Sequence, residues 1–168
     1  MGAELRVAHG AHQALHPGRT ATLWIGESPV GVAGELLPAL ADDLDLPRRV
    51  AVWELDLDAV IRLAPKEPVP TPINSLPAAT QDLSLVVPVG TVAGEVLAAV
   101  RDGAGALLEN IRLTDDYRGH GMPEGMKSLT FALRFRAPER TLTAAEASAA
   151  KLAGAARASE RFGSTIRE

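Results

Sequence analysis

Apolar and polar residues alternate most regularly in SLTFALRFR, residues 128–136. The apolar positions are Leu129, Phe131, Leu133 and Phe135. The opposite phase carries mostly polar side chains, among them Ser128, Thr130, Arg134 and Arg136. A period of two is typical of a strand with one buried face and one exposed face. We therefore expect a strand here that directs its polar side chains away from the core.

One helix and two more strands are predicted upstream of this strand. DLSLVV, residues 82–87, also alternates and predicts a strand. Residues 92–100 place apolar side chains at helical spacing behind Thr91, which predicts a helix with Thr91 as its N-cap. Residues 108–117 predict the next strand, which leads into a hairpin rich in glycine.

A second helix and a short strand are predicted downstream. Thr143 and Glu146 have the spacing of a capping box, and the helix that they open runs to about Arg161. The last residues, STIRE, are long enough for a short strand. The order β-α-β-β-α-β is that of the ferredoxin-like fold. We therefore predict an α+β sandwich over residues 78–168, with both helices on one face of an antiparallel sheet and the other face open.

The N-terminal part of the chain, residues 1–63, predicts a smaller α+β module. Strands are expected at 20–25, 30–36 and 49–57, and short helices at 38–44 and 58–63. Three strands enclose only a small core, so this module is expected to be the last portion of a larger domain. Between the two modules, residues 64–77 contain five prolines and predict a semi-rigid linker.

The composition excludes several classes of protein. The 168 residues are 46% hydrophobic and 23% charged, which is typical of a globular protein. A chain without cysteine forms no disulfide and no thiolate metal site. No apolar run approaches the roughly 20 residues of a membrane span, and the N-terminus lacks the apolar segment of a signal peptide. We therefore expect a cytoplasmic protein that does not contact a membrane.

The charge is unevenly distributed along the chain. Residues 1–81 carry 6 basic and 10 acidic side chains, whereas residues 82–168 carry 11 of each, which gives a net charge of −4. Neither half has the strong positive charge of a protein that binds nucleic acid by charge alone. Contact with nucleic acid would have to be local and dependent on shape.

The glycine-rich hairpin lacks the pattern of a phosphate-binding loop. A dinucleotide-type loop would need glycine at the position of Glu124, and a Walker-type loop would need glycine at Met126, before Lys127. Such loops also lead from a strand into a helix, whereas strands are predicted on both sides of this hairpin. The glycines and Pro123 are more typical of a turn.

Catalytic and metal-binding patterns are equally weak. Asp56 and Asp58 would share a strand face, but no nucleophile or base accompanies them. His9, His12 and His16 have a spacing that would align them on a helix, without a nearby carboxylate or cysteine. No Ser-His-Asp or G-x-S-x-G arrangement occurs. We expect neither a catalytic site nor a metal site in this chain.

A binding surface around the hairpin is the remaining candidate. A tyrosine beside arginines is suited to stacking on an unpaired base, with the arginines near phosphate. Simple alternation, however, puts Tyr117 in phase with Ile111 and Leu113, toward the core. Either a bulge resets the register before the hairpin, or Tyr117 is a core residue at the strand end. The spacing alone favours the core position.

Long stretches of the chain resemble one family. PAATQDLSLVV, LTDDYRGHGMPEGMKSLTFALRFRAPERTLTAAE and RFGSTIRE are similar to the ferredoxin-fold anticodon-binding domain of the bacterial phenylalanyl-tRNA synthetase beta subunit. The motif Y-R-G-x-G-x-P-E-G-x-K-S-L, with a later R-T-L-T, is long and specific. HPGRTATLWIG, VGVAGELLPAL and RVAVWELDL are similar to the end of the synthetase-like core domain of that subunit. A full beta subunit is several times longer.

The resemblance implies a function in tRNA recognition. The family forms an α2β2 heterotetramer that attaches phenylalanine to its tRNA with ATP and Mg²⁺, and its alpha subunit holds the aminoacylation site. The C-terminal domain of the beta subunit contacts the anticodon stem-loop. For this chain the resemblance implies tRNA(Phe), the alpha subunit and the rest of the beta subunit as partners, with no cofactor of its own.

The resemblance also implies site residues. The positions that match the anticodon contacts of the family are Asp115, Tyr117 and Ser128. From charge and placement we add, as expected phosphate or base neighbours, Lys127, Arg134, Arg136 and Arg167. A ferredoxin-like module that binds a regulatory small molecule, or that joins protein subunits, is the alternative, because a fold does not fix a function.

Overall fold

A computed structural model describes residues 5–65 and 76–167 of the chain. Two compact units are present, Met1–Pro72 and Ile73–Glu168. The expected proline linker falls mostly outside the described residues, at 66–75.

The first unit is an antiparallel sheet of four strands with two short helices. The strands are β1 (Leu5–His9), β2 (Leu15–Ile25), β3 (Ser28–Leu36) and β4 (Ala51–Leu55), and the helices are α1 (Pro38–Asp43) and α2 (Leu57–Leu63). The strands follow one another across the sheet in chain order. A small core forms where Leu23 and Val30 of the sheet pack with Ala59 of α2.

Strand β1 was not predicted from the hydrophobic pattern. Its apolar side chains Leu5 and Val7 are 46% and 58% exposed, so burial imposes no clear alternation on the sequence. The strand forms because its backbone pairs with β2, with Val7 opposite Leu23. The helical alignment considered for the histidines was wrong, since His9 ends β1 and His16 lies in β2.

The second unit has the predicted ferredoxin-like order. Its strands are β5 (Ala79–Pro88), β6 (Leu108–Tyr117), β7 (Met126–Phe135) and β8 (Thr165–Ile166), and its helices are α3 (Ala93–Ala104) and α4 (Ala144–Phe162). A 3₁₀ turn, Gly105–Leu107, joins α3 to β6. The sheet is antiparallel with the strand order β6-β7-β5-β8. The α+β ferredoxin-like prediction is confirmed.

One face of this sheet and the two helices enclose the main core. Strand β7 contributes the four side chains predicted from its alternation, each at most 1% exposed: Leu129, Phe131, Leu133 and Phe135. Burial of large apolar side chains is the main favourable term in folding, so this core fixes the sheet against the helices. The polar phase of β7 lies on the opposite face, which we call the open face.

The ends of the helices follow the sequence closely, with one exception. The capping box of α4 is confirmed, since Thr143 and Glu146 each accept a hydrogen bond from the backbone amide of the other. The helix ends at Gly163, whose φ of 64° is a left-handed conformation that glycine adopts without steric cost. The N-cap of α3 is Val92 rather than Thr91, because the Thr91 amide closes the preceding turn.

Helices α3 and α4 approach each other through two glycines. A Cβ on Gly103 would lie 2.6 Å from the Ala153 carbonyl oxygen, and one on Gly154 would lie 2.7 Å from that of Val100. Both distances are shorter than a van der Waals contact, so a larger residue at either position would displace a helix. Neither these helices nor any other in the described part of the chain is long and apolar enough to cross a membrane.

We predict that Gly154→Ala lowers the free energy of unfolding by about 1 to 3 kcal/mol, because the added methyl meets backbone that cannot move aside. The matched control is Gly94→Ala in α3, where an added Cβ would meet no atom within 4 Å apart from its chain neighbours and the nearby backbone of its own helix. We expect that change to be neutral or to stabilise the chain by up to about 1 kcal/mol. Urea unfolding compares the two variants, and equal effects would contradict the close packing.

Candidate nucleic-acid interface

A one-residue bulge interrupts β6 shortly before the hairpin. Leu113 pairs with Phe131, but the next paired residue of β6 is Asp115, opposite Thr130. Thr114 is therefore the extra residue, and its hydroxyl donates a hydrogen bond to the Thr130 carbonyl oxygen at 3.0 Å. A bulge of this kind shifts every later residue of the strand by one position relative to its partner.

The shifted register turns Tyr117 to the open face. It pairs with Ser128, which belongs to the polar phase of β7. Simple alternation had placed Tyr117 in phase with Ile111, toward the core, and this preference was wrong because it assumed an unbroken ladder. The structure has the other alternative, a bulge before the hairpin.

All four strands contribute polar side chains to the open face near the hairpin. The cross-strand pairing places them side by side, with the last residue just beyond β8. From one edge of the sheet to the other they are Asp115, Tyr117, Ser128, Thr130, Ser84, Thr165 and Arg167. The three positions that match the anticodon contacts of the family therefore lie together on one surface.

Tyr117 is half-buried and is held by contacts on several sides. Its hydroxyl donates a hydrogen bond to the His120 carbonyl oxygen at 3.0 Å. The Arg167 guanidinium carbon lies 5.4 Å from the ring centroid, within range of a cation–π interaction. Gly119 passes so close that an added Cβ would lie 2.4 Å from the tyrosine hydroxyl oxygen. The ring is fixed in place, with Arg167 beside it.

Ser128 adds a buried hydroxyl that lacks a partner. The residue is 1% exposed, and its Oγ forms no hydrogen bond with any described residue. The nearby hydroxyls of Ser84 and Thr130, by contrast, bond to each other at 2.9 Å. A buried polar atom without a partner costs about 1 to 3 kcal/mol, and a ligand that reached this hydroxyl would recover part of that cost.

Lys127 lies on the core side of the sheet and not on the open face. It pairs with the buried Val87, is 3% exposed itself, and places its Nζ 3.2 Å from an oxygen of Asp116. Arg118 donates to both oxygens of the same carboxylate, at 2.8 and 2.9 Å. We call these three residues, Asp116, Arg118 and Lys127, the Asp116 cluster. It braces the hairpin from the side opposite to Tyr117.

The Asp116 cluster changes the acidity of its carboxyl group. Hydrogen bonds from Arg118, followed by the hydrogen bond and charge of Lys127, hold the pKa of Asp116 below its usual value. Burial opposes this effect and is outweighed. The carboxylate therefore stays ionised and keeps the buried Lys127 ammonium paired.

Arg134 and Arg136 share one carboxylate near the other end of β7. The Arg134 Nε lies 2.5 Å from one oxygen of Glu109, and the Arg136 Nε lies 2.8 Å from the other. Arg136 also donates to the Leu76 carbonyl oxygen. Burial acts to raise the pKa of Glu109, but the hydrogen bonds and charges of the two arginines outweigh it and lower the pKa. The charge of these arginines is partly balanced within the protein.

Arg112 is an open-face cation that the sequence reasoning missed. It pairs with Ala132, in the polar phase of β7, and is exposed. The signal was present, since Arg112 stands between Ile111 and Leu113 and so has the opposite phase to both.

The arrangement is chemically a binding surface. A fixed aromatic ring, a carboxylate and an unpartnered hydroxyl in adjacent positions are suited to an unpaired base, through stacking and hydrogen bonds to its edge. In residues 5–65 and 76–167, no group of three or more His, Asp or Glu side chains is placed to hold a metal ion.

Comparison with known proteins gives two matching family models. Residues 74–167 match the ferredoxin-fold anticodon binding domain, and residues 1–57 match the phenylalanyl tRNA synthetase beta chain CLM domain. The first match covers more than half of the chain, and it covers the whole open face described above.

Curated relatives are similar over the full chain. The phenylalanine--tRNA ligase beta subunit of Leifsonia xyli subsp. xyli (strain CTCB07) is 65% identical over 171 residues, which cover 100% of this chain and 20% of that protein. The subunit of the same name from Mycobacterium leprae (strain TN) is 50% identical over 90% of this chain and 18% of its own length. The chain thus spans about a fifth of the length of these curated relatives.

We predict that Asp116→Asn lowers the free energy of unfolding by about 2 to 3 kcal/mol, because it leaves the buried Lys127 ammonium without a counter-charge. The matched control is Asp115→Asn, an exposed carboxylate one residue away, which we expect to change stability by less than about 0.5 kcal/mol. Urea unfolding near pH 7 measures both variants. Equal losses would show that the ion pair contributes nothing specific.

The same cluster predicts a pH dependence. Because the folded-state pKa of Asp116 is lowered, its contribution to stability is fully present above the unfolded-state pKa of about 4 and is lost as the pH falls through the folded-state value. The stability difference between the unmodified chain and Asp116→Asn should therefore shrink between about pH 5 and pH 3. Urea unfolding across this range tests it, and a constant difference would contradict the assignment.

Proposed function

The chain belongs to the ferredoxin-fold anticodon binding domain family, and we propose that its second unit recognises the anticodon stem-loop of tRNA(Phe). The observation that carries the proposal is that the bulge at Thr114 brings Asp115 and Tyr117 to the face of the sheet that Ser128 of β7 already occupies. Asp115, Tyr117 and Ser128 are the positions at which the family resemblance expected anticodon contacts.

In the proposed complex the Tyr117 ring stacks on an unpaired base of the loop. Stacking on an aromatic ring is worth about 1 to 3 kcal/mol per base and tolerates any base, since every base has a π face. Selectivity would come from the edge of the base. An ionised Asp115 carboxylate only accepts hydrogen bonds, so it favours a base edge that presents N–H groups. The Ser128 hydroxyl can donate or accept, but it is 1% exposed, so it would gain a partner only when the arriving base displaces the atoms that cover it.

The cationic residues would have unequal roles. Arg167 already lies against the Tyr117 ring, so it would either share the stack or move to a phosphate when the base arrives. Arg134 and Arg136 would contribute less, because Glu109 competes for them. Lys127 would support the hairpin through Asp116 and would not contact phosphate directly.

We further propose that the chain acts as part of a phenylalanine--tRNA ligase in the cytoplasm. The two family models and the names of the curated relatives support this assignment. Residues 1–63 would then be the last portion of the synthetase-like core, residues 64–77 the linker and residues 78–168 the anticodon-binding domain. The partners would be the alpha subunit and the rest of the beta subunit in an α2β2 assembly, with ATP and Mg²⁺ used in the alpha subunit.

We predict that Tyr117→Ala weakens binding of a tRNA(Phe) anticodon stem-loop by about 1 to 3 kcal/mol, which is roughly 5-fold to 150-fold in Kd. Fluorescence titration with the labelled stem-loop measures the effect. The same hairpin with a changed anticodon provides the specificity control, and it should bind the unmodified chain more weakly.

Tyr117→Phe is the matched control for this experiment. It keeps the ring and removes only the hydroxyl that bonds to the His120 carbonyl, so binding should change by less than about 3-fold. If Tyr117→Ala remains folded by circular dichroism and binds as tightly as the unmodified chain, stacking on this ring is refuted. If the unmodified chain does not distinguish the two hairpins, anticodon reading by this chain alone is refuted.

A further inference from the structure

Four basic side chains of β7 and the hairpin already form ion pairs with carboxylates. Asp116 holds Arg118 and Lys127, and Glu109 holds Arg134 and Arg136. A paired arginine must give up its carboxylate before it can neutralise a phosphate, so its net contribution to RNA binding is reduced.

Arg112 is different from these four residues. It is exposed on the open face, opposite the small side chain of Ala132, and its guanidinium forms no hydrogen bond or ion pair with any residue in the described part of the chain. Asp82 lies on the far side of Ala132 on β5, in the same row of the sheet, but does not form an ion pair with Arg112. The Arg112 guanidinium is therefore available to a ligand without breaking an internal contact.

The position of Arg112 suits an RNA strand that passes the stacking site. Its partner Ala132 is four residues from Ser128, the partner of Tyr117, which corresponds to roughly 14 Å along the sheet. At this separation Arg112 can contact a neighbouring part of the stem-loop while a base stacks on Tyr117. Arg112 also lies on β6, at the edge of the sheet, where a backbone can approach from the side.

We propose that Arg112 is a phosphate-contacting residue of the RNA site and that it contributes more to the salt dependence of binding than Arg134 does. The inference rests on the proposed function, because it concerns the same surface. Arg112 is not one of Asp115, Tyr117 and Ser128, and it lies farther from the hairpin than they do. Because a phosphate contact carries no sequence information, its loss should weaken cognate and changed anticodon hairpins by the same factor.

The test is the salt dependence of stem-loop binding for Arg112→Gln. Titrations between about 50 and about 200 mM salt give the slope of log K against log salt, and loss of one phosphate contact should reduce its magnitude by about 0.7 to 0.9. Arg112→Lys keeps the charge and should retain most of the slope. Arg134→Gln, which removes an arginine whose charge is already partly neutralised by Glu109, should change the slope less than Arg112→Gln does.

Arg161→Gln is the matched control for charge and exposure. Arg161 is an exposed arginine in the last turn of α4, a helix packed on the opposite side of the sheet, so its removal changes the net charge equally without touching the open face. Its slope should equal that of the unmodified chain. An effect as large as that of Arg112→Gln would mean that only overall charge matters, which would overturn the proposal.

The remaining outcomes separate this inference from the proposed function. An unchanged slope for Arg112→Gln, together with weakened binding by Tyr117→Ala, would overturn the role of Arg112 and leave anticodon binding intact. Loss of binding to the cognate hairpin only would make Arg112 a base contact and also overturn the proposal. Failure of the unmodified chain to bind either hairpin would overturn both. Thermal unfolding confirms that each variant is folded.

Discussion

The surface of the second unit is organised by one extra residue, Thr114, that β6 carries against β7 near the hairpin. From Asn110 to Leu113 the two strands pair in simple alternation, and after Thr114 every side chain of β6 has changed face. The change sends Asp115 and Tyr117 to the open face and Asp116 to the core side. Without the bulge the tyrosine would point into the helices and the cluster around Asp116 could not form. A local backbone irregularity thus creates both the candidate RNA site and its support.

That support is electrostatic as well as steric. Asp116 neutralises a lysine that is almost fully buried, and it does so on the side of the hairpin opposite to Tyr117. The tyrosine is held in turn by Gly119 and by its hydrogen bond to His120. A ring that is already fixed loses little conformational freedom when a base stacks on it, which favours binding. The large core under β7 provides the rigid base for this arrangement.

The charges of the second unit show why a count of basic residues misjudges a binding surface. Residues 82–168 have as many acidic as basic side chains, and the structure pairs several of them with one another. Whether a basic side chain remains available to a ligand depends on its ion pairs and on its face of the sheet, not on its distance from the hairpin in the sequence. Arg112 and Arg167 lack a carboxylate partner within the described residues, and only the second was anticipated.

The sequence by itself determined the order of elements in the second unit, the buried phase of β7 and the capping box of α4. Each of these depends on residues close together in the chain, because hydrophobic periodicity and helix capping are interactions between near neighbours in sequence. The family resemblance likewise came from contiguous motifs. Tertiary structure alone decided the face of Tyr117, the burial of Lys127 and the existence of β1. Each of these features depends on a contact with a second strand: the bulge at Thr114, the ion pair of Lys127 with Asp116, and the pairing of β1 with β2. The register between two strands cannot be read from the sequence of either strand alone.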